Sequence, residues 1–244
     1  MTANEKIPWK RLSVEAAAIV GSILLAFAID AWWDDRKERL LEQEALHDLR
    51  AEYEDHKGDL SGQKARHLNY IRAIETLVEA CEKGDWRSDE FSLDEAFFAL
   101  QVPETTDLGA GVRDTLISSG KMDVILDREL RYELAEWDSE LDELLDDQQG
   151  GKQIVLGLLH PYLARKGVPM SGPLSKSPGQ EYSSVSIRSL SDSSEVFTRI
   201  CLDPEFMSIV EIRHGYMVHT AIEFERVILA IERILTRIEA SLTE

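Results

Sequence analysis

The feature that most constrains this chain is an apolar run close to its first residue. From Ala16 to Ile29 there is no charged side chain and no strong helix breaker, and Trp32 and Trp33 extend the run. This gives about 18 to 20 residues, the number that crosses ~30 Å of hydrocarbon as a helix. We therefore interpret residues 14–33 as a transmembrane helix, with the lipid bilayer as its partner.

The residues around the run are typical of a membrane span. Basic side chains at Lys6, Lys10 and Arg11 precede it, and Trp32 and Trp33 stand at the height of an interfacial aromatic belt. The carboxylate at position 30 lies about 24 Å of helix rise beyond residue 14, which places it near the far interface rather than at mid-bilayer.

Two other interpretations of the run remain open. Ala26-Phe-Ala28 is an A-x-A cleavage pattern after a basic leader, so the segment could instead be a secretory signal. Its strictly apolar part is also short enough for a buried core helix. We favour an intact anchor, because the apolar run continues past the cleavage pattern and because the tryptophans have an interfacial role only in an anchor.

The remainder of the chain predicts one acidic domain. Residues 1–33 carry three basic and three acidic side chains, so the formal charge of -19 belongs to residues 34–244. Such an excess of negative charge argues against nucleic acid as a partner. No internal repeat and no second apolar run of spanning length occur, which predicts a single-pass protein.

The orientation of the span follows from the leader. Residues 1–13 form a short basic leader in front of an apolar run, which is the arrangement of a signal-anchor. A signal-anchor places its leader in the cytoplasm and, here, residues 34–244 outside it. Three basic residues also follow the span directly, at Arg36, Lys37 and Arg39. The charge count alone is therefore nearly balanced, and the form of the leader decides the prediction.

From Leu46 to Cys81, side chains that are mostly apolar recur at alternating steps of three and four. This spacing predicts one face of a long helix, which we call the seam. Gly84 should end this helix, and Asp203-Pro-Glu205 has the cap, the proline and the acid of a helix start. Asp127 should cap another amphipathic helix. We therefore expect an all-α fold, in which the transmembrane helix continues into an antiparallel bundle of long helices.

Shorter signals divide the chain between the long helices. Ser92-Leu-Asp-Glu95 is a capping box, and a further helix is expected from Leu108 to Gly120. The Gly150-Gly151 pair is a candidate break in the helix that follows. Residues 167–192 hold three prolines, three glycines and many serines, which predicts a long mobile loop.

Two stretches carry a resemblance to known proteins. They run from Ile29 to Arg39 and from Leu116 to Arg131, the second with Ser-Gly and then Glu-Leu-Arg. In these stretches and in its layout, the chain resembles an uncharacterised family of bacterial single-span membrane proteins with a helical ectodomain. The resemblance implies a bacterial inner-membrane protein whose domain lies in the periplasm, and it implies no catalytic residue.

The sequence offers no clear catalytic or metal-binding motif. His56 and His67 are about 16 Å apart along a helix, and His214 and His219 are five residues apart, so neither pair has the spacing with which one helix holds a metal. Ser119-Gly-Lys121 lacks the first glycine of a phosphate loop. No nucleophile has a base beside it, and we predict no cofactor.

Four groups of residues are the candidates for sites. His56, Gln63 and His67 replace leucines on the seam, either as a polar layer that fixes the register, which we favour, or as the lining of a wet pocket. Cys81 and Cys201 are the only cysteines; two buried free thiols are the simpler interpretation, and one disulfide in an oxidising compartment is the alternative. An acidic face at 136–147 is interpreted as a solvated face unless a cation or a basic partner neutralises it.

The span itself carries the fourth candidate group. Ala18, Ser22, Ala26 and Asp30 follow one another at steps of four, a ridge of small residues that ends in a carboxylate. Helices meet in a bilayer through small side chains and partnered polar groups. We expect this ridge to contact the span of another membrane protein or of a second copy; the alternative is that small residues are merely common in spans and that Asp30 is solvated at the interface.

Together these features lead to a ranked set of functions. The first hypothesis is a non-enzymatic periplasmic module, anchored in the membrane, that acts as a scaffold or accessory subunit of an inner-membrane assembly. The alternative is a ligand-sensing ectodomain, although only about 13 residues lie on the cytoplasmic side to carry a signal. An enzyme with a site assembled across helices is third.

Overall fold

A computed structural model describes residues 9–84, 93–109, 111–168 and 194–243. The described residues form helices and connections without a strand, which confirms the all-α prediction. The capping box at Ser92 and the loop from residue 169 onward lie outside the described residues. The helices are α1 (Trp9–Lys83), α2 (Leu93–Gln101), α3 (Val112–Ser118), α4 (Arg128–Ile154), α5 (His160–Lys166), α6 (Ser194–Cys201) and α7 (Pro204–Thr243).

Helix α1 runs without interruption from the apolar segment into the bundle. Its 75 residues correspond to about 112 Å of helix. Gly84 follows it with φ +67, a conformation that glycine adopts without strain, and this confirms the predicted end. The helix is long and apolar enough to span a membrane, and none of its most apolar 18-residue window is buried. The interpretation of the run as a core helix is therefore wrong.

Helices α1 and α7 pack antiparallel in a regular register. Their surface ion pairs show this, because each step of seven residues along α1 is matched by seven residues back along α7. Exposed pairs contribute only about 0 to 1 kcal/mol each, so they report the register more than they hold it. The pairs are Arg50 with Glu239, Lys57 with Glu232, and Lys64 with Glu225.

The core lies between α1, α4 and α7 and has two parts. The part nearer the span is built around Leu60, Trp137 and Phe224, and the distal part adds residues of α2, α5 and α6, with Phe97 and Phe206 stacked at 6.0 Å. The predicted seam of α1 is confirmed, because its apolar members are buried or half-buried. These members are Leu46, Leu49, Tyr53, Leu60, Tyr70, Ile74, Leu77 and Cys81.

The expected break at Gly150 and Gly151 is wrong, since α4 continues to Ile154. A Cβ on Gly150 would lie 2.5 Å from the Tyr216 ring, so the pair serves close approach of α7 rather than a turn. The helix instead widens into a π-helical segment at Val155–Leu159. Pro161 follows in the sequence, and its missing N–H and its ring disturb the preceding turn of an α-helix.

Helix α3 begins at Val112 rather than at Leu108, because a side chain from α1 defines its first turn. The Glu52 Oε2 accepts hydrogen bonds from the backbone N–H of Val112 at 2.6 Å and of Arg113 at 3.1 Å. The predicted helix starts at Asp127 and Asp203 are confirmed, because each carboxylate accepts a hydrogen bond from the backbone N–H two residues later. The predicted helix end at Gly120 is confirmed as well, since Gly120 has φ +68.

Candidate functional site

A layer of polar side chains separates the two parts of the core. It is centred on His67 of α1, which is 2% exposed. The Nε2 of His67 lies 2.7 Å from the carbonyl oxygen of Met217, and its Nδ1 contacts the carboxyl group of Glu104. A carbonyl oxygen can only accept, so Nε2 carries a hydrogen and donates it to Met217.

A second group of polar contacts lies one helical turn from His67. The Thr106 hydroxyl donates to Gln63 Oε1 at 2.8 Å and accepts from Gln148 Nε2 at 2.8 Å. The backbone N–H of Thr106 donates to Gln148 Oε1 at 2.7 Å. Side chains of α1 and α4 thus replace the backbone partners that the irregular segment 102–109 lacks.

Arg213 of α7 completes the layer. It is 4% exposed, and its Nη2 donates to the carbonyl oxygen of Val102 at 2.9 Å. Burial lowers the pKa of the Arg213 guanidinium to about 10, although the charge of Glu104 raises it, so the group stays a cation at neutral pH. A Cβ on Gly151 would lie 2.5 Å from Arg213 Nη1, so this glycine makes room for the guanidinium.

The structure brings two of the three predicted seam residues together. Gln63 and His67 both hold segment 102–109, whereas His56 lies toward the span and stacks on Trp137, with ring centroids 6.2 Å apart. Both nitrogens of His67 and the Oε1 of Gln63 have protein partners. Gln63 and His67 therefore belong to a polar layer rather than to a wet pocket, whereas the Nδ1 of His56 is buried without a hydrogen-bond partner.

Sequence reasoning missed four members of the layer. Gln148 lies four residues after the core residue Leu144, and Arg213 stands among the buried positions of α7. A search for polar residues on the apolar stripes of α4 and α7 would have found both. Glu104 and Thr106 lie on a segment without periodicity, so no sequence signal marks them.

The acidic face of α4 is partly neutralised from within the chain. Glu140 forms ion pairs with Arg226 at 3.3 Å and Arg233 at 3.2 Å, so α7 supplies some of the basic partners. Burial raises the pKa of Asp147, which His219 partly opposes. Within the described ranges, no group of three or more His, Cys, Asp or Glu side chains is arranged to hold a metal ion.

Cys81 and Cys201 form a disulfide, so the interpretation as two free thiols is wrong. The two residues are 9% and 7% exposed and lie in the distal part of the core. The reason is topological: Cys81 stands two residues before the end of α1, and Cys201 is the last residue of α6. The antiparallel packing brings these two helix ends together.

The side chains of the ridge in the span are all exposed in this structure, and so are the rings of Trp32 and Trp33. The hydroxyl of Ser22 donates to the carbonyl oxygen of Ile19 at 2.8 Å. This hydrogen bond lies within the helix, so Ser22 does not require a polar partner from another span. What the ridge offers a neighbour is therefore close packing, together with the carboxylate of Asp30.

The chain matches no family model, no curated protein and no solved structure. The resemblance to bacterial single-span proteins stays a prediction. Its second stretch lies against α1 close to the span, where the backbone N–H of Leu126 donates to Glu42 Oε1 at 2.6 Å. Arg131 within it donates to the carbonyl oxygen of Ile125. The stretch therefore fastens the start of α4 to α1.

Proposed function

We propose that this protein is a membrane-anchored, non-enzymatic helical module that lies outside the cytoplasm and acts as a scaffold or accessory subunit of a membrane assembly. The observation that carries the proposal is the continuity of α1 (Trp9–Lys83), which belongs both to the apolar segment and to the bundle. No flexible linker separates the two. A module built in this way holds its binding surfaces at a fixed height above the bilayer.

The disulfide supports a location outside the cytoplasm. Disulfides persist in oxidising compartments and are rare where cellular thiols are kept reduced. The bond between Cys81 and Cys201 joins helix ends that are 120 residues apart in the sequence. For a bacterial protein with an N-terminal span, the matching compartment is the periplasm.

The polar layer favours a scaffold over a ligand sensor. A sensor requires polar groups that face an accessible cavity, whereas Gln63, His67 and Gln148 are bonded to segment 102–109. These contacts fix one arrangement of the connecting segment. A rigid internal layer suits a part whose task is to present a constant surface.

Co-purification from mild detergent tests the proposal. The wild-type protein should retain a membrane partner, or a second copy, in constant stoichiometry. Replacing Ser22 and Ala26 with Leu keeps the span apolar but blocks close approach on the ridge, so the partner should be lost. Substitution of Ile23 and Phe27 with Ala alters a face about 100° around the helix from the ridge and is the matched control. Loss of the partner only in the control would refute the ridge as the contact.

A topology experiment tests the compartment separately. A reporter that is active only outside the cytoplasm, fused after Glu244, should be active, because the bundle and the end of α7 lie beyond the span. A reporter that works only in the cytoplasm should be silent at the same position. The reverse pattern would overturn the orientation and the periplasmic assignment together.

A further inference from the structure

The first turns of α1 beyond the span carry two arginines on the same helix face as Trp32. Trp32, Arg36, Arg39, Leu40 and Gln43 line a surface groove of about 320 Å³, and these positions follow one another at the spacing of one helix face. The acidic side chains of Asp35, Glu38 and Glu42 line a neighbouring groove, which Arg39 and Gln43 share. Among them, the carboxylate of Glu42 is directed to the bundle, where it accepts the N–H of Leu126.

Arg36 has no carboxylate within reach on its own helix. The positions one turn away from it carry Trp32, Trp33, Arg39 and Leu40, whereas ion pairs within a helix need an acid three or four residues away. Within the part of the chain that the structure describes, no ion pair or hydrogen bond engages the guanidinium of Arg36 or Arg39. The groove thus presents the exposed guanidinium of Arg36 beside an exposed indole, whereas Arg39 has Asp35 and Glu42 one helical turn away.

The depth of these cations matches the phosphate layer of a bilayer. Arg36 lies about 6 Å of helix rise beyond Trp32, and Arg39 about 10 Å. The headgroup layer beyond the hydrocarbon is about 5 to 8 Å thick on each side. Side chains of a helix lean toward its N-terminus, which here is the membrane side, so both long side chains can reach back into that layer.

We propose that the groove of Trp32, Arg36 and Arg39 binds the phosphate of a membrane phospholipid, with a preference for an anionic headgroup. The planar guanidinium of Arg36 suits bidentate contact with phosphate oxygens, and the indole packs beside the lipid at the interface. The site rests on the proposed anchoring of the protein in a membrane. It would give the junction of span and bundle a fixed lipid ligand.

Native mass spectrometry of the full chain, released from nanodiscs of equal parts phosphatidylglycerol and phosphatidylcholine, tests the site. Wild-type protein should retain phosphatidylglycerol, and Arg36→Gln should lower its occupancy about fivefold, the effect expected of one cation near the phosphate layer. Lys37→Gln is the matched control, because it removes the same charge at the same depth from a different face. It should lower the occupancy less than twofold.

Three outcomes would overturn the inference or its basis, and they are distinguishable. Equal losses in Arg36→Gln and Lys37→Gln would mean that only charge density matters and that the groove is not a site. Displacement of the lipid by excess inorganic phosphate would assign the groove to a free anion instead. Failure of the wild-type chain to enter nanodiscs at all would refute the anchor, and with it the proposed function.

Discussion

Removal of the disulfide should destabilise the bundle by several kcal/mol. The bond between Cys81 and Cys201 closes a loop of 120 residues, and the conformational entropy that this loop removes from the unfolded chain corresponds to about 5 kcal/mol at 25 °C. Native disulfides usually contribute about 2 to 4 kcal/mol. We therefore expect the double substitution Cys81→Ala and Cys201→Ala to lower the free energy of unfolding by about 2 to 5 kcal/mol.

Urea unfolding in mild detergent, followed by circular dichroism, measures this loss. The folded spectrum should be unchanged, because both sulfur atoms lie at helix ends and the backbone does not depend on them. Reductant should destabilise the wild-type protein by a similar amount and leave the double variant unaffected. A loss below about 1 kcal/mol, or an equal effect of reductant on the double variant, would refute the reasoning.

Three further predictions concern single side chains, each measured by urea unfolding. Gly111→Ala places a Cβ 2.4 Å from the Glu52 carboxylate, so it should lower the free energy of unfolding by about 1 kcal/mol through lost helix capping. In a chain that already carries Glu52→Ala, the same substitution should cause no further loss. Leu60→Ala empties a fully buried site and should cost about 2 to 5 kcal/mol. The hydrogen bond from Lys166, with others, lowers the pKa of Asp203. Asp203→Asn should therefore destabilise at neutral pH, and its difference from wild type should vanish as the pH falls through that lowered value.

The stability contributed by Asp203 has this sign because its pKa is lower in the folded than in the unfolded chain. Folding is then favoured wherever the carboxylate is ionised in both states, above the ordinary value of about 3.9. The stability contributed by Asp203 is lost as the pH falls and the carboxylate becomes protonated in the folded chain. A difference from wild type that persisted unchanged in strong acid would contradict this account.

The sequence predicts the framework of this fold because long helices leave a periodic signal. The seam from Leu46 to Cys81 and the caps at Asp127 and Asp203 appear in the structure where the pattern placed them. The errors in the prediction lie where the role of a residue depends on a contact with a residue that is distant in the sequence. Gly150 suggests a turn until the ring of Tyr216 is seen beside it.

The polar layer shows the same limit. Gln63 and His67 can be found from the seam of one helix, but their partners Glu104 and Thr106 lie some forty residues away on an irregular segment. Nothing in the local sequence of that segment distinguishes it from any other connection. The pairing becomes visible only when α1, α4 and α7 have been packed together.

The unbroken course of α1 couples the rotational setting of the span to that of the bundle. A helix turns by about 100° and rises 1.5 Å for each residue. One residue inserted between Trp33 and Glu42 would therefore swing the whole bundle by about 100° around the axis of the span, whereas seven would restore its azimuth to within about 20°. The number of residues between the tryptophans and the first bundle contact thus fixes the rotation of the bundle about the axis of the span. This rotation determines which side of the bundle a neighbouring membrane protein can contact.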